Sequence, residues 1–245
     1  MDEILLFSGG LDSYIAWHKL GKPKTLYVNL GTKYSAVEQL VVENLIPGTI
    51  VEHFPLLGTR EYGPNAYIPF RNVHLAFLAY RYGHIIHIAG LKDDMVNDKN
   101  PTAFKKMSAF MSFMIYTPIN VSSPFWEMTK EQVVRWYLDN VDSSGQTLLH
   151  GTHSCYKPKG TEPCWACPAC LRKWIALAAN NLEMPEFEDW LLMRRYLDRA
   201  YRGEFIPERN DTTIRIINNY FGYLGSKSIN LHPSITPGNI HENRN

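Results

Sequence analysis

All four cysteines of this 245-residue chain fall in one short stretch, spaced Cys155-x8-Cys164-x2-Cys167-x2-Cys170. Four thiolates so placed can close a tetrahedral shell around Zn²⁺. The Cys-x2-Cys-x2-Cys run is expected to turn tightly, with Pro168 stiffening it, and Cys155 to return from the preceding loop. Disulfides are disfavoured in a chain with a cytosolic profile. An iron–sulfur cluster uses similar runs, and spacing alone does not separate it from zinc. A shell of four cysteines leaves no open position, so zinc here is expected to be structural. His150 and His153 lie nearby and read as loop residues outside that shell. A second cluster, Ser8-Gly9-Gly10-Leu11-Asp12-Ser13, carries a different chemistry. Two glycines permit a tight turn and close backbone approach to a ligand. A helix beginning there offers unpaired N–H groups and the positive end of its dipole. With two hydroxyls added, the segment is a cradle for a pyrophosphate. It is neither GxxxxGK[ST] nor GxGxxG, the two best-known phosphate-loop patterns.

Those clusters need elements to hold them. Residues Glu3 to Phe7, Thr25 to Leu30, Thr49 to Phe54 and His84 to Ala89 read as buried strands, and Pro118 to Val121 as a short fifth. Helical patterns run over Leu11 to Leu20, Ser35 to Ile46, Asn72 to Tyr82 and Thr102 to Met114. Thr129 with Gln132 predicts a capping box for a helix reaching Asn140. Met107, Met111 and Met114, with Phe110, are expected in the core. This alternation predicts an α/β fold, a parallel sheet with helices on both faces. Ligands in such sheets bind beyond the carboxyl ends of the strands, where the serine–glycine cluster falls. After Met184 only helices are expected, over Phe187 to Tyr201 and Thr212 to Leu224.

The segment SGGLDS resembles the pyrophosphate loop of the N-type ATP pyrophosphatases, or PP-loop enzymes. With the cysteine block it resembles one branch of them, the 7-cyano-7-deazaguanine synthases. Thr152-His153-Ser154-Cys155-Tyr156 parallels that branch's Thr-Trp-Ser-Cys-Tyr. The stretch Cys164 to Arg172 parallels its Cys-Gly-x-Cys-x-x-Cys-x-x-Arg. Ile68-Pro69-Phe70-Arg71-Asn72 is similar to its Val-Pro-x-Arg-Asn, and Gly90-Leu91-Lys92-Asp93-Asp94 to its Gly-x-x-x-Asp. The resemblance covers residues 3 to about 180. It implies an adenine-nucleotide α-hydrolase-like PP-loop fold, use of ATP with Mg²⁺, and conversion of 7-carboxy-7-deazaguanine and ammonia to the nitrile through an amide.

The resemblance assigns ATP to Ser8, Gly9, Gly10, Leu11, Asp12, Ser13 and Arg71. Ser8, Asp12, Lys92 and Asp94 are expected to serve catalysis. Arg71, Asn72, Asp94, Asp98 and Lys105 are expected to bind the substrate, and Cys155, Cys164, Cys167 and Cys170 the zinc. Two departures fall on the substrate side. The loop after the second strand is Leu30-Gly31-Thr32-Lys33-Tyr34 where the family has Asp-Tyr-Gly-Gln-x-His. The substrate loop runs Val96 to Phe104 and has Asn100 where the family has an arginine, with Lys99, Lys105 or Lys106 as candidate replacements. A product stopping at the amide, a tRNA-modifying PP-loop enzyme and a non-catalytic partner-binding module are the competing readings.

Lys plus Arg number 25 and Asp plus Glu 24, for a net charge of +1. That balance disfavours direct nucleic-acid binding and leaves a small-molecule enzyme as the expectation. No run approaches the roughly 20 apolar residues of a membrane span. The amino terminus lacks the basic region of a signal peptide, so the cytoplasm is the expected location. The expected organisation is a synthase domain over 1–183, a helical extension over 184–225 that packs on the core or forms a homodimer contact, and a flexible tail over 226–245.

Overall fold

The fold is taken from a computed structural model, which describes residues 2–63 and 66–229. The chain divides into two compact units, the first ending at Met193. The first holds five parallel strands: β1 (Glu3–Leu6), β2 (Lys24–Asn29), β3 (Ile50–His53), β4 (Ile85–His87) and β5 (Asn120–Ser122). Their order is β3-β2-β1-β4-β5. Helices α1 (Leu11–Lys19), α2 (Ser35–Leu45), α3 (Arg71–Ala79), α4 (Pro101–Ile115), α5 (Lys130–Asn140) and α6 (Pro168–Ala178) complete that unit.

The near-continuous apolar runs of the strands follow from burial on both faces. Alternate residues point to opposite faces. Leu5 and Phe7 therefore pack with Leu11, Ile15, Val42, Val133, Tyr137 and Leu177, the inner faces of α1, α2, α5 and α6. Ile4 and Leu6 pack with Ala76, Ala79, Phe104, Met107 and Met111, the inner faces of α3 and α4. The chain leaves β1 toward one edge and returns on its other side at β4. The carboxyl ends of β1 and β4 thus flank the point where strand order reverses, the usual place for a ligand crevice.

Several expectations need correction. Met107 and Met111 are buried, but Phe110 is 52% and Met114 57% exposed. Phe110 lies edge-on against Phe77 of α3 at the surface, and Met114 occupies the last turn of α4. Pro168 does not merely stiffen a turn; it is the first residue of α6, where its missing N–H and fixed φ suit a helix start. Residues Pro55–Arg60 form a 3₁₀ helix and Thr147–Gly151 a π turn that the apolar pattern did not suggest. The capping position at Thr129 is as expected, and its N–H donates to Gln132 Oε1 at 2.9 Å.

Helix α7 (Trp190–Tyr201) crosses into the second unit, followed by α8 (Pro207–Ile229). Helix α8 starts five residues before the expected Thr212, again with proline at its head. Inside this unit Leu197, Ala200, Phe205, Ile216 and Ile217 are buried. Arg209 lies 4.1 Å over the Phe205 ring and donates to Tyr196 Oη at 2.8 Å. Of the tail expected over 226–245, residues up to Ile229 continue α8 and the remainder lies outside the described residues. Among the described residues no helix is long and apolar enough to cross a membrane.

Candidate functional site

The four cysteines meet. All are buried and none is in a disulfide, and their sulfurs lie within 4.8 Å of one another. Tetrahedral zinc with bonds of about 2.3 Å would space sulfurs about 3.8 Å apart. Cys164 Sγ and Cys170 Sγ are 4.0 Å apart. The backbone N–H groups of Lys157 and Cys164 each donate to Cys155 Sγ at 3.3 Å, and that of Ala166 to Cys164 Sγ at 3.4 Å. Such donors stabilise thiolate charge. The turn that aims them requires a positive φ of 43° at Trp165. The donor set therefore fits a closed, structural zinc.

The zinc segment also braces the serine–glycine loop. His153 N–H donates to Gly9 O at 2.8 Å. The His153 ring lies 3.1 Å from Cys155 O, and burial lowers its basicity. Gly9 has φ +68°, and a Cβ there would meet Val41 Cγ1 at 3.0 Å, so the position demands glycine. Gly10 caps α1 without a side-chain hydrogen bond, so the first N–H groups of the helix face the cleft uncapped. Ser13 Oγ donates to Gly10 O at 3.0 Å and sits 3.3 Å from Ser8 Oγ, which fixes both hydroxyls in the loop.

Beside this cradle lies a chain of alternating charges. Lys130, the first residue of α5, reaches Asp12 Oδ1 at 2.5 Å. Burial lowers the Lys130 pKa, and Asp12 opposes that shift. Asp94 receives Lys99 Nζ at 2.9 Å and Arg172 Nη1 at 3.1 Å, while Arg172 Nη2 reaches Asp93 at 3.0 Å. Burial alone would raise the Asp94 pKa; the Lys99 and Arg172 cations outweigh it and hold the carboxyl well below the usual range. Gly90 opens this loop because a Cβ there would lie 2.3 Å from the Trp126 ring.

Across the cleft the Tyr34 and Tyr156 rings lie 5.7 Å apart, tilted by 39°. Glu38 of α2 faces the same space and accepts a hydrogen bond from Tyr27 Oη at 3.3 Å. Burial pushes its pKa up to about 7, against the pull of Arg71. The Arg71 guanidinium makes no hydrogen bond or ion pair within 4.0 Å among the described residues. The cradle, the charge chain and this aromatic corner all line one cavity of about 310 Å³, within the usual range for small-molecule sites.

Of the expected site residues, Ser8, Gly10, Leu11, Asp12, Ser13, Arg71, Asn72 and Asp94 line that cavity, and Gly9 shapes its loop. Asp98 and Asn72 hold each other: Asn72 N–H and Nδ2 donate to the two Asp98 oxygens, both at 2.9 Å. Asn100 caps α4 by accepting from Ala103 N–H at 2.9 Å. Lys92 and Lys105 are exposed and outside the cavity lining, whereas Lys99 is within it. Sequence reasoning missed Lys130, Glu38 and the role of Arg172. Arg172 stood in a quoted motif; nothing local marks the other two.

The family described as queuosine biosynthesis protein QueC matches residues 34–181, a span that takes in all four cysteines. A protein of Chlorobaculum tepidum named 7-cyano-7-deazaguanine synthase is 27% identical over 230 residues, covering 77% of this chain and 97% of its own. A protein of the same name from Archaeoglobus fulgidus is 26% identical over 224 residues, with 77% and 91% covered. Another from Rickettsia akari is 31% identical over 139 residues, with 50% and 57% covered. With the parallel sheet, the cysteine cluster and the matched span in agreement, this chain belongs to the QueC family of queuosine biosynthesis proteins.

Proposed function

We propose that this protein converts 7-carboxy-7-deazaguanine, ATP and ammonia to 7-cyano-7-deazaguanine. The observation that carries the reading is one cavity joining an uncapped helix terminus behind two glycines to an aromatic corner with a free arginine. The names of the relatives support the same activity.

A carboxylate is a poor electrophile because oxide would have to leave. Its oxygen attacks the α-phosphorus of ATP, and the bond to pyrophosphate breaks. Ser8, Ser13 and the α1 N–H groups receive the pyrophosphate, with Lys130 balancing its charge. Ammonia then adds to the acyl carbon of the mixed anhydride, a proton is lost and AMP departs, leaving the amide. The amide oxygen attacks the α-phosphorus of a second ATP and pyrophosphate leaves; loss of the two nitrogen protons and of AMP gives the nitrile. Two ATP are consumed for each nitrile. Mg²⁺ would be held by phosphate oxygens and Asp12, a hard oxygen donor at the cleft, and would neutralise phosphate charge, since both Asp94 oxygens already take cations. Lys99 and Arg172 fix the ionised state of Asp94. The main contribution of the chain is positioning the acid against ATP.

The reading takes the cytoplasm as its setting, with no nucleic-acid partner, and includes a homodimer that light scattering would reveal. The test is to incubate purified protein with the acid, ATP and ammonium, then identify products by mass spectrometry. Nitrile with two AMP is expected; amide with one AMP would place the end point earlier. Consumption of neither acid nor ATP would overturn the proposal.

A further inference from the structure

We propose that Glu38 is the residue that selects a guanine-type ring, its carboxylate accepting the N1–H and 2-amino hydrogens of the substrate. The inference deepens the proposed function and rests on it.

Glu38 is placed without its needs being met. One oxygen, Oε2, accepts from Tyr27 Oη at 3.3 Å, but that hydroxyl also donates to Ser35 O at 3.1 Å. The other oxygen, Oε1, opens to the cavity and has no hydrogen-bond partner among the described residues. Arg71 is near enough to lower the Glu38 pKa yet forms no ion pair with it within 4.0 Å, and Glu61 works the other way. A half-buried carboxylate held on so few donors is unfavourable for folding. The arrangement fits a group kept for an incoming donor.

The chemistry of that donor is narrow. A carboxylate oxygen pair accepts two parallel N–H bonds, as it does from a guanidinium. The N1–H and 2-amino edge of a guanine-type ring presents such a pair. The corresponding edge of adenine places an acceptor nitrogen beside a single donor, which an ionised carboxylate repels. Adenine suits the apolar end of the cavity better, where Leu6, Leu26, Val28, Leu75 and Ile88 line the wall. The tilted Tyr34–Tyr156 pair, centroids 5.7 Å apart, is too close to admit a ring between them. It offers instead one face on which a flat ring can rest. Arg71 on the same wall, with its guanidinium free, is placed to take the opposite, anionic side of the acid. Free acceptor and free donor thus match the two ends of one ligand.

Calorimetry decides this with three ligands: the deazaguanine acid, its analogue lacking the 2-amino group, and ATP. Wild type should prefer the acid over the analogue by at least about 30-fold, because a site built to hydrogen-bond a group rejects the ligand lacking it. Glu38→Gln should lose about 10- to 100-fold in affinity for the acid and nearly all preference, with ATP affinity held within about twofold. Glu38→Asp should keep the preference at reduced affinity. If wild type binds the acid and Glu38→Gln binds it equally well with the same preference, the inference falls alone. Equal losses for ATP and the acid in Glu38→Gln also overturn it. If wild type does not bind the acid, the proposed function falls and this inference with it.

Discussion

Two walls of the cleft are built by different means. On one side, four cysteines within sixteen residues draw the chain into a tight turn that holds Tyr156 and His153 and launches α6 with Arg172. On the other, the loop from Gly90 to Asn100 holds no metal-binding cluster among the described residues. Its shape is held by Asp93 and Asp94 on Arg172, Lys99 on Asp94, Asp98 on Asn72 and Asn100 on the start of α4. The first wall is held by a local cysteine cluster; the second is assembled from ion pairs and caps between distant segments. Asn100 illustrates this: its side chain caps α4, and Lys99 beside it supplies positive charge to Asp94.

The comparison can be broken most directly at the metal. Cys167→Ser, or chelation of the folded protein, should release zinc and cost several kcal/mol, about 10 °C or more in Tm. Metal analysis alongside thermal unfolding checks it; an unchanged Tm after complete metal loss would show that the first wall stands without zinc. Arg172→Met should come next. It removes the guanidinium shared by two buried carboxylates, a loss of about 3–5 kcal/mol. Arg172→Lys should recover only part of that, because an ammonium cannot fork to both. If Arg172→Lys melts like wild type, the two walls are not coupled through this residue.

Glu38 should give a smaller and pH-dependent effect. Its pKa of about 7 in the folded chain lies above the ordinary 4.5. The folded state therefore keeps a proton that the unfolded chain loses between these values, and stability falls as pH rises through that window. Glu38→Gln should match wild type near pH 5 and exceed it at pH 8 by about 1–3 kcal/mol, a few degrees in Tm. Equal Tm values at both pH values would contradict the assignment. The smallest effect belongs to Lys105→Ala, since that side chain is exposed and outside the cavity. Affinity for the acid should change by less than about twofold, and a larger drop would bring α4 into the site.

What could be seen in the sequence follows the same division. The cysteine spacing, the serine–glycine turn and the Thr129 cap are local patterns, and each appears in the structure where spacing placed it. Lys130 shows the limit. Its position beside the cap was legible, but its partner Asp12 lies 118 residues away. Arg172 and Asp94 are 78 residues apart, and no periodicity links them. Lys92 was favoured by standing after a strand, yet Lys99, beyond the turn, faces the cleft. Pro168 was read as part of the metal turn because the cysteines dominated the pattern; its place at the head of α6 follows from proline chemistry that applied all along.

The bond from His153 N–H to Gly9 O has a consequence for biogenesis. During synthesis the phosphate loop is made long before its brace, which lies far along the chain. Contacts of such sequence separation close slowly. A nascent chain halted before the cysteine run would carry SGGLDS with no scaffold to hold its glycines open. Nucleotide capture should therefore appear on a growing polypeptide only after residue 170 or so has left the ribosome, which ties the onset of ligand protection to the moment the metal is acquired.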